Sequence, residues 1–102
     1  MNAGADQDEF SHCIPSVGEH ITTRYLSDEA FIMNLNNVKT YSLNETAAQI
    51  WSYINGENSI REIVDKIQTE YDVPDTICRE AVFEIIKRFH DEKLVIFINP
   101  YD

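Results

Sequence analysis

The residue types that could do chemistry in this chain are few, and their spacing does not assemble them. Cys13 and Cys78 are the two cysteines; His12, His20 and His90 are the three histidines. A tetrahedral metal centre wants ligands paired at Cys-x-x-Cys or His-x-x-x-His spacing, and neither is present; His12 and Cys13 are merely adjacent. No metal and no cofactor is therefore expected, and the thiols read as incidental or buried. In a reducing compartment a disulfide between them is not expected either. No nucleophile stands beside a base, no carboxylate pair has a useful spacing, and no glycine-rich loop could cradle a phosphate. The sequence does not read as an enzyme, which leaves recognition as its chemistry.

Charge narrows what could be recognised. Eight Lys and Arg against eighteen Asp and Glu give a net charge of −10 over 102 residues. Such a chain repels nucleic acid and anionic membrane at long range and favours neutral or basic partners. The first residues lack the basic-then-apolar order of a signal peptide, and no apolar run approaches the ~20 residues that span a bilayer, so a cytoplasmic protein is expected. Hydrophobic residues at 43% and charged residues at 25% are globular values, so one small folded domain is expected.

The elements that would present a recognition surface can be read from period and punctuation. Residues 1–13 are polar and acidic apart from Phe10 and read as a disordered tail, leaving a domain over 14–99. Ile21 to Leu26 is rich in β-branched and aromatic residues and reads as a first strand. Phe31, Met33 and Leu35 alternate with Ile32 and Asn34, the pattern of a strand with one face buried. Asn36-Asn37 fits a two-residue hairpin turn, because Asn tolerates positive φ, and Val38 to Leu43 is the returning strand. That turn pairs Leu35 with Val38, Met33 with Thr40 and Phe31 with Ser42.

Helices follow. Asn44 can cap a helix carrying Ala47, Ala48, Ile50, Trp51 and Ile54, and Asn55-Gly56 stops it. Ser59 and Glu62 form a capping box before the stripe Ile60, Ile63, Val64, Ile67 and Tyr71. Asp72-Val73-Pro74 breaks the pattern, and a third helix runs from Asp75 to about Glu92. Its main stripe, Ile77, Cys78, Ala81, Val82, Ile85 and Phe89, should face the core. Arg79, Phe83, Ile86 and His90 form a second stripe that the core does not require. Leu94 to Ile98 is a short strand, closed by Asn99-Pro100. The order implies an α+β domain of winged helix-turn-helix type: an N-terminal three-stranded antiparallel sheet, three helices and a short C-terminal strand.

The run Tyr41-Ser42-Leu43-Asn44-Glu45-Thr46-Ala47-Ala48-Gln49-Ile50-Trp51, with Asn55-Gly56, Ser59-Ile60-Arg61-Glu62-Ile63 and Tyr71-Asp72-Val73, resembles the PqqD-like family from about Pro15 to Val95. The resemblance implies a peptide chaperone, or RiPP recognition element. Such a domain binds the leader of a ribosomally made precursor peptide and presents it to a maturation enzyme, often a radical SAM enzyme. In that family the leader adds as a strand beside the third strand of the sheet, in a groove walled by the third helix. Mapped onto this chain, the edge is Val38, Lys39, Thr40 and Tyr41, and the wall is Arg79, Phe83, Ile86 and His90. Phe83 and Ile86 read equally well as core beneath the C-terminal strand.

Energetics set a condition on that mode. Each backbone hydrogen bond of an added strand contributes about 0.5–1.5 kcal/mol net, and ordering each residue costs about 1–2 kcal/mol. These nearly cancel, so two or three apolar side chains entering pockets, at about 1.5–3 kcal/mol each, must carry the affinity. Two rivals share the fold. A DNA-binding winged helix is disfavoured because the third helix sets Arg79, Lys87 and Arg88 against Asp75, Glu80, Glu84, Asp91 and Glu92. An adaptor for a folded enzyme remains open. The C-terminal strand is expected to pair near the first strand, away from Val38–Tyr41; pairing at that edge would close the groove.

Overall fold

Alternating side chains and asparagine-capped turns build the sheet, and three amphipathic helices follow it, the first of them packed on one of its faces. The structure, a computed structural model, describes residues 9–98. In chain order it contains β1 (Ile14–Val17), β2 (Ile21–Leu26), β3 (Glu29–Asn34), β4 (Lys39–Leu43), α1 (Glu45–Ser52), α2 (Ile60–Tyr71), α3 (Asp75–Asp91) and β5 (Val95–Ile98). The expected α+β architecture is present, with the antiparallel sheet β2-β3-β4 preceding the helices. Residues 1–8, most of the expected tail, and Asn99-Pro100 lie outside the described residues.

The hairpin register is the expected one, pairing Phe31 with Ser42 and Met33 with Thr40. The turn differs. It is a four-residue loop, 35–38, in which Val38 takes the positive φ of 61°. The asparagines serve it as side-chain acceptors instead: Asn34 Oδ1 accepts from Asn36 N at 2.9 Å and Asn37 Oδ1 from Lys39 N at 3.0 Å. The face of β3 turned to the helices carries Ala30, Ile32 and Asn34, all buried, while Phe31 and Met33 point outward, half-buried. Both sets are apolar enough to serve as core. Leu43 decides between them: it is buried where β4 turns into α1, and it pairs with Ala30 on the inner face.

Caps and a glycine fix the helices where the sequence indicates. Asn44 Oδ1 accepts from Ala47 N at 2.9 Å, and the Ser59–Glu62 box closes reciprocally at 3.1 and 2.8 Å. Gly56 sits at φ +79°, with a Ser16 side-chain atom 3.3 Å from where a Cβ would stand, so neither the backbone nor the space suits another residue. Trp51 anchors α1 to the sheet. Its indole Nε1 donates to Thr23 Oγ1 at 3.0 Å, and its ring meets Phe89 edge-on at 5.1 Å.

The C-terminal strand does pair away from β4, but its partner is β1, a strand absent from the sequence reading. Pro15 and a length of four residues conceal β1. The carbonyl of Pro15 accepts from Gly56 N at 3.1 Å, so its N side faces away from β5 and the missing N–H costs the ladder nothing. Part of the expected tail is also folded. Residues 9–12 are helical, and Phe10 packs edge-on against Phe83 at 5.1 Å and Phe97 at 5.5 Å.

Candidate functional site

The edge strand β4 is where the chain leaves backbone groups to offer. It ends the sheet order β2-β3-β4, and among the described residues no strand pairs with its outer side. Lys39 and Thr40 are exposed and Tyr41 half-buried; Val38, the last loop residue, is 71% exposed. Tyr41 points toward the helices and donates its hydroxyl to Glu92 Oε1 at 3.0 Å, bridging β4 to the end of α3. Desolvation first, then the hydrogen bond and charge of Glu92, push the Tyr41 hydroxyl up from its ordinary range, which keeps it a neutral donor.

The wall expected from the sequence does not face this edge. Ile86 is fully buried and Phe83 is 7% exposed, both in the core. His90 is exposed and stacks on Phe97 of β5 with ring centroids 4.5 Å apart, and Arg79 pairs with Asp75 at 3.4 Å. Phe83 and His90 thus look toward β5 and Phe10, and helical spacing puts Arg79 on the same side. At 100° per residue the opposite side of α3 carries Ile77, Ala81, Ile85, Arg88 and Glu92. Glu92 is the residue that Tyr41 touches, so this side faces β4. The correction has a plain cause: Phe10 and β5 cover the second stripe, and a helix clad there and by α2 leaves its remaining side open.

The open side is apolar over its first half. Ile77 is 60% exposed, Ala81 exposed and Ile85 half-buried. Beside it lies a cavity of about 180 Å³. Ile50, Ile67, Cys78 and Val82 form its buried base, and Thr46, Tyr71, Val73, Ile77 and Ala81 its less buried walls. Thr46 lies three residues beyond the end of β4. The β4 edge is therefore tied to α3 at both ends, by Tyr41 and Glu92 at one and by the shared cavity wall at the other. The sequence gives Thr46, Tyr71 and Val73 no site role, and it assigns Ile77, Ala81 and Ile85 to the core, which only the half-buried Ile85 partly joins. The available signal was a helix apolar around most of its circumference, which must meet more than one body.

Burial first, then Asp75 and Asp65, raise the Cys78 thiol, which donates to the carbonyl of Val64 at 3.5 Å. Cys13 is likewise raised, by burial and then Glu9. No group of three or more His, Cys, Asp or Glu among the described residues could hold a metal ion. No helix of the described chain is long and apolar enough to cross a membrane.

Comparison with known proteins places this geometry. Residues 29–95 match the family model described as coenzyme PQQ synthesis protein D (PqqD). Among solved structures, the chain is similar to that described as TbiB1 in complex with the TbiA(beta) leader peptide, with a TM-score of 0.74 and 20% identity over 78% of this chain and 93% of that one. It is also similar to lasso peptide synthetase B1 complexed with the leader peptide, with a TM-score of 0.74 and 14% identity over 81% of this chain and 98% of that one. The heterocyclase TruD matches with a TM-score of 0.63 and 17% identity; 86% of this chain is covered but 12% of that one, so the fold there is a small part of a longer chain. No curated protein matches. At these identities the solved structures speak for the fold, and the family model spans most of the sequence: the chain belongs to the PqqD family.

Proposed function

We propose that this protein is a non-catalytic peptide chaperone that takes up the leader of a ribosomally made precursor as a strand on β4 and delivers it to a maturation enzyme, a radical SAM enzyme being the first candidate. The observation that carries the reading is the β4 edge, unpaired among the described residues, running beside the open side of α3 into an apolar cavity. Two of the similar solved structures are described as complexes with leader peptides, which supports the same reading. A guest strand would gain its hydrogen bonds from residues 38–42 and its affinity from a side chain in the cavity. An apolar cavity of ~150 Å³ is known to accept benzene, so one of about 180 Å³ suits a single Leu, Ile, Met or Phe side chain. The four residues first assigned to the wall drop out of the proposed contact set; Ile77, Ala81 and Ile85 replace them beside Val38, Lys39, Thr40 and Tyr41.

The working site is proposed to be cytoplasmic, where two free thiols are at home. Nucleic acid is not a proposed partner: Glu80, Glu84 and Asp91 are exposed on α3 among its basic residues. Isothermal titration with a precursor peptide from the same genome neighbourhood tests the proposal. Binding that an Ala81→Glu change abolishes is expected; an absence of heat with that leader would overturn it.

A further inference from the structure

Peptide capture at β4 leaves the outer face of the sheet, the side turned from the helices, unexplained. Antiparallel pairing brings Leu26, Phe31 and Met33 to this side, with Thr22, Arg24 and Thr40 around them. A shallow depression of about 360 Å³ crosses Phe31 and Met33, which are half-buried. Leu26 is 54% exposed, and the adjoining hairpin tip adds Leu35 at 55% and Val38 at 71%. Much of the acidic charge of the described residues lies elsewhere, apart from Asp28 and Glu29 at one end. Glu62, Asp65 and Glu70 are exposed on α2, as are Glu80, Glu84 and Asp91 on α3. On the outer sheet face Glu29 is the one acidic residue of the strands, and Arg24 offsets it.

We infer that this face docks the enzyme that modifies the carried peptide, and that the enzyme reads the sheet and the peptide as one surface. The inference rests on strand addition at β4. A guest there becomes the fourth strand of this face, and alternate guest side chains project on the enzyme's side. Three strands at ~4.8 Å spacing, five or six residues long at ~3.3 Å, present a face of about 14 by 20 Å, which a fourth widens to about 19 Å. A stable interface takes about 800 Å² from each partner. Neither face reaches that area by itself, so the hairpin tip must share the contact, and the guest strand, which enlarges the face by about a third, makes the loaded form the tighter binder. A second copy is the weaker occupant because each chain brings −10 to the contact. The fitting partner is a folded protein with a neutral to basic, apolar surface.

Purified protein, a precursor peptide and a modifying enzyme from the same genome neighbourhood provide the test, by biolayer interferometry with immobilised enzyme. The loaded chain is expected to bind about tenfold more tightly than the empty one, and a Phe31→Ser, Met33→Ser variant about tenfold more weakly when loaded, with its peptide affinity within about twofold of wild type. A Leu26→Ser, Leu35→Ser variant, whose replaced side chains are more than half exposed and so do not hold the fold, is expected to shift enzyme affinity the same way. Unchanged enzyme affinity in both variants overturns the inference. So does a wild-type dimer, seen by sedimentation, that these variants dissociate. Wild-type protein that binds no peptide sinks strand addition itself, and the docking inference with it; intact peptide binding with unaltered enzyme binding sinks the docking alone.

Discussion

The two sides of α3 are made of similar residues and meet opposite fates. One side carries Phe83 and Ile86 and lies under Phe10 and β5; the other carries Ile77, Ala81 and Ile85 and is left open beside β4. A stripe at helical spacing says that a helix needs cover, without saying whether the chain itself provides it. Here Phe10 and β5 cover the aromatic side, and the smaller aliphatic side is left open among the described residues, where the guest is proposed to lie. Substitutions on the two sides should therefore separate cleanly into stability effects and binding effects.

The largest expected effect is on the covered side. Ile86 is 0% exposed, and Ile86→Ala should destabilise the fold by about 2–5 kcal/mol, since it removes buried methylenes and leaves a cavity. Urea denaturation would show it as a lower midpoint with an unchanged slope. Ile77→Ala, at 60% exposure, should change stability by less than about 0.5 kcal/mol. A comparable loss at both positions would erase the distinction between the two sides.

On the open side, the expected loss is of affinity. Ala81→Phe would place a ring over the cavity that the guest side chain is proposed to enter. Forfeiting one buried apolar group costs about 1.5–3 kcal/mol, or roughly 10- to 150-fold in the dissociation constant for the leader. Titration of the variant, with its denaturation midpoint measured alongside, checks this; unaltered affinity would move the anchor elsewhere along β4. Phe10→Ala is the converse experiment. It uncovers Phe83 and Phe97, and should cost stability on the order of 1–3 kcal/mol while leaving leader affinity unchanged.

The sequence made most of the frame legible and, of the candidate site, the position of the sheet edge but not of the wall. Caps at Asn44 and Ser59, the stop at Gly56 and the β3–β4 register all follow from local chemistry, and they lie where local chemistry puts them. The β4 edge was legible because the C-terminal strand was expected to pair elsewhere, and it does. The wall was not, because periodicity assigns residues to a side of a helix but not a partner to that side. Phe10 and β1 were the missing partners. A lone aromatic in an acidic segment and a four-residue strand containing proline give no periodic signal, although together they decide which side of α3 is buried.

The smallest effect concerns the bridge between the two regions. Tyr41 ties β4 to Glu92 at the end of α3, and Tyr53 ties α1 to α2 by donating to Glu70. Both hydroxyls are raised above the ordinary tyrosine value of 10.0, Tyr41 mainly by desolvation and Tyr53 mainly by its bond to Glu70. A folded-state value above the unfolded one means that the unfolded chain gives up the proton first. The stabilisation is therefore complete below pH 10 and is lost as pH rises through the folded-state values. Denaturation midpoints measured across that range should fall less steeply in Tyr41→Phe and Tyr53→Phe than in wild type. At neutral pH, Tyr41→Phe should change stability little and leader affinity measurably, because the bridge lies at the mouth of the groove while its loss uncovers no core. If the change altered stability and left affinity untouched, Tyr41 would belong to the frame and the groove would begin beyond it.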